Sequence, residues 1–137
     1  MVLTSRRLLK FDKKNVVDLT NGIDFHIDWL QFDKYLFSLK GFEGTEDNGN
    51  LSYHAILCCN DKPLCDCVNH GVGNETEIKE VNPIAFANIK VMLPKIEKYK
   101  FSINGNEKNM NLSYVSDILA KTEIERRNRT IKGKINN

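Results

Sequence analysis

The sequence predicts an α+β domain, a single antiparallel sheet of about four or five strands with two helices packed on one face. Three observations lead there. Between Ile23 and Val81, apolar residues alternate with polar ones in short runs set off by turn-forming pairs, the pattern of half-buried strands. Asn82-Pro83 then reads as a helix start, with Asn82 as cap and Pro83 where its missing N–H is not needed. Finally, Leu112, Val115, Ile118 and Leu119 recur at spacings of three and four, the stripe of a second helix.

The elements follow in order. Residues 1–22 hold neither period for long; Arg6, Arg7, Lys10, Lys13 and Lys14 surround the pairs Leu8-Leu9 and Val16-Val17, and Asn21-Gly22 marks a turn. From Ile23, Phe25, Ile27 and Trp29 point one way and Asp24, His26 and Asp28 the other. A second strand spans Lys34 to Phe42, joined to the first by Asp33-Lys34. Gly41, Gly44 and the polar run Thr45 to Asn50 predict a break. A hairpin follows, Tyr53–Cys59 and Leu64–Val68 around Asn60-Asp61, then a glycine-bearing loop from Asn69 to Asn74 and a short strand within Glu75–Val81. The first helix presents Ala85, Phe86, Ile89, Met92 and Leu93, and Pro94 is expected to end it. Tyr99, Phe101 and Ile103 alternate up to Asn104-Gly105, as in an edge strand or ordered loop. Beyond Ala120 the second helix turns charged and is expected to fray into a basic tail.

With 137 residues, 28% charged and 41% hydrophobic, residues 1–137 form one domain able to bury a core without metal or disulfides. No apolar run is long enough for a membrane helix, and the N-terminus lacks the apolar core of a signal peptide, so the expected location is cytoplasmic and the four cysteines are expected to be thiols. The Asn-x-Ser/Thr triplets at Asn50, Asn74, Asn111 and Asn128 then carry no glycosylation. The chain has a net charge of +2, yet residues 126–137 carry five cations and no acid, leaving a slightly acidic body with a basic arm. Abundant Lys, Asn and Ile suit an AT-rich coding genome, hence a bacterial or phage source.

The order of elements resembles a family of small proteins carried by bacterial mobile elements and phages. The matching residues are Tyr53–Leu57, Asn60-Asp61, Leu64–Val68, the Asn-x-Gly-x-Gly loop Asn69-His70-Gly71-Val72-Gly73, Leu93-Pro94 and Met110–Ala120. The likeness spans roughly Lys34 to Lys121, departing from the pattern where His70 stands for an Asp and Asn74 for a Gly. It implies a genomic neighbourhood more than a chemistry. Small proteins of that setting are often inhibitors of host defence, and anti-CRISPR proteins are similar in size and in lacking catalytic motifs. The resemblance therefore implies a non-enzymatic inhibitor that binds a CRISPR effector nuclease or its guide RNA, an RNA-targeting effector being one target. The alternative is a small nucleic-acid-binding regulator acting through its basic ends.

Candidate sites follow from the residues. Arg126, Arg127, Arg129, Lys132 and Lys134, with Arg6 and Arg7 at the other end and His70 in the glycine loop, are the candidate contacts to RNA phosphates or an acidic protein surface. With the hairpin turn centred on Asn60-Asp61, His54 falls opposite Cys67 and Ile56 opposite Cys65, placing His54, Cys58, Cys65 and Cys67 on one face as a weak candidate zinc set. No Cys-x-x-Cys knuckle is present and reduced Cys packs as a small hydrophobe, so no metal or cofactor is expected. Asp24, His26 and Asp28 read as the polar side of a strand. His70 near Cys67 is the only local candidate for a nucleophilic pair, with nothing to activate it. Gly71-Val72-Gly73 precedes Glu75 and Glu77, which would repel phosphate.

Overall fold

The computed structural model describes residues 8–21, 27–71 and 75–135, with backbone alone at 88–89 and 128–135. In chain order the elements are β1 (Leu8–Phe11), β2 (Val17–Asp18), β3 (Trp29–Phe32), β4 (Tyr35–Asp47), β5 (Asn50–Cys59), β6 (Lys62–His70), β7 (Glu77–Glu80), α1 (Pro83–Ile96), β8 (Lys100–Ile103), β9 (Asn106–Asn109) and α2 (Leu112–Ile135). The strands form two sheets, one of six in the order β1-β3-β4-β5-β6-β7 and one of three in the order β2-β8-β9. The expectation of a single antiparallel sheet of four or five strands is thus incorrect. The larger sheet is mixed, because β1 runs parallel to β3, and the second sheet joins Val17 to Phe101 in parallel, a pairing of chain segments far apart in sequence. β1 and β2 are four and two residues long, too short to establish a period.

Turn chemistry places the antiparallel part. Asn48-Gly49, Asn60-Asp61 and Asn104-Gly105 each have positive φ at both central residues, the conformation whose twist matches a two-residue hairpin. The predicted break at Thr45–Asn50 contracts to this one turn, so β4 runs on to Asp47. Its ladder with β5 is interrupted between Lys40 and Glu43, where Gly41 takes φ +62. Beyond the bulge, Gly44 lies opposite Tyr53 so closely that an added Cβ would sit 2.5 Å from the Tyr53 Cβ. Asp33-Lys34 does join β3 to β4, but the buried side of β3 is Leu30 and Phe32, not the phase of Trp29.

Inward-facing residues of the large sheet, Leu30, Phe32, Phe37, Tyr53, Ala55 and Leu57, meet Met92 and Ile96 of α1, Val115 and Leu119 of α2 and Phe101 of β8 in one core. Phe32 organises its centre, stacked on Phe11 at 4.6 Å and edge-on to Tyr99 at 5.3 Å. Asn82 caps α1 as expected, accepting from the N–H groups of Ile84 and Ala85. Pro94, however, lies inside the helix. In its last turn Pro removes a single intrahelical donor, and Glu97 N–H still closes on Leu93 O at 3.0 Å. The segment expected to fray is also helical: α2 continues to Ile135, with Thr122 and Ile124 buried beyond Ala120.

Candidate functional site

The central hairpin decides the fate of the cysteines. Cys59 pairs with Lys62 and Cys58 with Pro63, as a turn centred on Asn60-Asp61 requires, but the register then slips by one. Beyond the bulge Leu57 faces Cys65, Ala55 faces Cys67 and His54 faces Val68. A slip of one residue sends alternate side chains to opposite faces. Cys65 and Cys67 therefore enter the core beside Leu57 and Ala55, whereas His54 and Cys58 belong to the other face. The expected shared face of His54, Cys58, Cys65 and Cys67 does not exist. Among the described residues no three His, Cys, Asp or Glu side chains gather as a metal site. Cys65 and Cys67 lie 3.9 Å apart through sulfur; hydrogen bonding to Cys67 and burial push the Cys65 thiol up. Burial also pushes Cys59 up to about 11, so Cys59 and Cys65 stay protonated at neutral pH, whereas the hydrogen bond with Cys65 lowers the Cys67 thiol.

The histidines are likewise engaged elsewhere. His54 Nε2 meets Asp66 Oδ1 at 2.5 Å across the outward face of β5 and β6. His70, exposed at the end of β6, pairs with Glu77 at 3.4 Å and projects from the face opposite to Cys67, so the two cannot act as a nucleophile and base. Asp24 and His26 lie outside the described residues; Asp28 is half-buried just ahead of β3.

The candidate basic contacts divide. Arg126 holds Glu123 through two bonds of 3.0 and 2.7 Å, and Arg127 bonds Glu123 at 3.2 Å while its guanidinium lies 5.0 Å from the Phe42 ring centre. Arg126 thus ties the end of α2 to itself, and Arg127 ties it to Phe42 of β4 as well. The Arg129, Lys132 and Lys134 side chains, and Arg6 and Arg7, lie outside the described residues.

Two features of the structure have no counterpart among these expectations. The first is α1. Its inward side carries Met92 and Ile96, yet Ile84 and Val91 on the opposite side are 78% and 73% exposed, with Ala87 exposed between them. Val81, 44% exposed, stands just ahead of the helix. Lys90 and Lys95 flank this stripe, and no residue from Pro83 to Ile96 is acidic. A helix apolar on all sides is ordinarily buried on all sides. The signal was available in the sequence, because Ile84 and Val91 fall off the stripe formed by Phe86 and Leu93.

The second feature is a cleft of about 590 Å³ between α2, the tip of the β4–β5 hairpin and the smaller sheet. Leu19, Leu51, Phe101, Ile103 and Ile118 supply apolar walls, Glu46 and Lys121 pair at 3.7 Å beside it, and Asp117 contributes a half-buried carboxylate. A directed chain of hydrogen bonds ends on Asp117 Oδ1. Asn69 Nδ2 donates to Thr76 Oγ1 at 2.9 Å, the Thr76 hydroxyl donates to Asp117 at 2.5 Å, and Tyr53 O–H donates to the same oxygen at 2.8 Å. The Ser116 hydroxyl, 2.6 Å from Tyr53 Oη, completes the other arm. All these partners are neutral. Burial accordingly raises the Asp117 carboxyl above its ordinary 3.8 although the hydroxyl bonds pull the other way, and burial also drives the Tyr53 phenol up. Asp117 escaped the sequence reading because its partners come from β5, β6, the segment before β7 and α2.

Comparison of the chain with family models, with curated proteins and with solved structures finds no match. Among the described residues no helix is long and apolar enough to cross a membrane.

Proposed function

We propose that the chain is a non-enzymatic binding protein of phage or mobile-element origin that acts in the bacterial cytoplasm, inhibiting a defence system by docking α1 onto one of its proteins. The observation that carries this reading is the exposed stripe of Ile84, Ala87 and Val91 on a helix whose other side is already packed in the core. Fully burying an Ile or Val side chain contributes about 1.5–3 kcal/mol, so these two anchors supply at least about a hundredfold in affinity. The partner surface that fits is an apolar groove with an acidic rim, because the only charges on the helix are Lys90 and Lys95. The resemblance of the hairpin, loop and helix order to mobile-element proteins supports a defence target, and a CRISPR effector nuclease is the first to test.

The experiment is a tagged pull-down from a bacterium expressing its own defence systems, with the wild-type chain beside Ile84→Glu and Val91→Glu variants. Recovery of an identified defence component by the wild type, and its loss from both variants at unchanged circular dichroism, is the expected result. Recovery of the same component by all three would remove α1 from the interface. A chain that recovers only nucleic acid, with affinity falling steeply as salt rises, would replace this reading by the regulator.

A further inference from the structure

The cleft beside α2 has the make-up of a site of its own, and no residue of α1 lines it. Its volume of about 590 Å³ lies within the ordinary range for small-ligand pockets, which are apolar with a few placed polar groups. Here the apolar part is Leu19, Leu51, Phe101, Ile103 and Ile118, and the placed group is Asp117. Two observations give that carboxylate a recognition role. Its Oδ1 takes the Tyr53 and Thr76 hydroxyl protons, and the Asn69 amide also bonds the carboxylate, which fixes the orientation of the group. Its nearest cation on the cleft wall, Lys121, is engaged with Glu46. The arrangement is a held carboxylate in a largely apolar wall, with neutral donors on it among the described residues, and such a group favours a cation over a neutral ligand of the same shape.

We infer that this cleft binds a small amphipathic cation, a primary ammonium on an apolar stem, with the stem against Leu51, Phe101 and Ile118 and the ammonium on Asp117. Burial of the stem supplies affinity while the carboxylate supplies selection. The site is independent of the α1 docking surface, so either can fail without the other.

The test uses the full chain and three probes of equal length, hexylammonium, hexanol and hexanoate, followed by amide chemical shifts and by calorimetry. Hexylammonium is expected to saturate, to shift residues of the cleft around Leu51 and Ile118, and to bind at least tenfold more tightly than hexanol, with hexanoate weakest. Asp117→Asn keeps an acceptor for Tyr53 and Thr76 and is expected to reduce the ammonium-over-alcohol preference to within about twofold. Ile103→Trp, on the partly exposed edge of the cleft, should block all three probes without reaching the core. Equal binding of hexylammonium and hexanol by the wild type, shifts elsewhere on the surface, or undiminished hexylammonium binding by Ile103→Trp would overturn the inference. If Asp117→Asn fails to fold, the wild-type probe series and the Ile103→Trp result decide the matter alone.

Discussion

Gly44 and Asp117 are the single residues on which the geometry depends most closely. At Gly44 a methyl group would meet the Tyr53 Cβ at 2.5 Å and the Ser52 carbonyl at 2.7 Å, and backbone cannot give way as the end of a flexible side chain can. Gly44→Ala is therefore expected to lower stability by about 1–3 kcal/mol, the usual cost of overpacking, as read by urea denaturation. Asp117 makes a prediction with a sign. A carboxyl whose pKa is raised on folding binds protons more tightly in the folded chain, so its ionisation costs stability as pH rises from 3.8 through the raised value. Asp117→Asn removes that titration. The stability of the variant relative to wild type should accordingly rise with pH across this window and level off above it. A difference that is flat, or that falls with pH, would contradict burial as the cause.

At the scale of elements, what could be read from the sequence was whatever is local. Asn60-Asp61 and Asn104-Gly105 announced their turns through residues that tolerate positive φ, and Asn82-Pro83 announced α1. The cap admits a direct check: Asn82→Ala removes the acceptor for Ile84 N–H and Ala85 N–H and should cost about 1 kcal/mol. What escaped the reading was non-local or off by one residue. The bulge in β6 around Leu64 leaves the turn intact and reverses the side of every later residue, which is why the proposed metal set separated. Pro63 beside that bulge is the one local sign of it, since proline within a sheet keeps to edges and bulges. The end of α2 was misread for a related reason. Its charged surface hides a buried side, Thr122 and Ile124, and the Arg126–Glu123–Arg127 pairing that holds the last described side chains to β4.

For the whole molecule, the parallel pairings of β1 with β3 and β2 with β8 close the chain on itself and build the second sheet, and nothing in a strand of two or four residues names its distant partner. The candidate sites followed the same rule. The Asp117 cluster assembles from four separate segments and was invisible beforehand, whereas the open stripe of α1 was spelled out by Ile84 and Val91 and was passed over because the helix already had an apolar side. That stripe is the surface on which the account of function stands. Its central claim is tested most directly by measuring the affinity of the purified chain for the defence protein it captures, wild type against Ile84→Glu and Val91→Glu, with sedimentation of the free chain as a control. The expected result is a loss of about tenfold or more for each variant and a monomeric free chain. Unchanged affinity, or sedimentation as a dimer that either variant dissolves, would contradict it, the latter because the stripe would then be covered by a second copy of the chain itself.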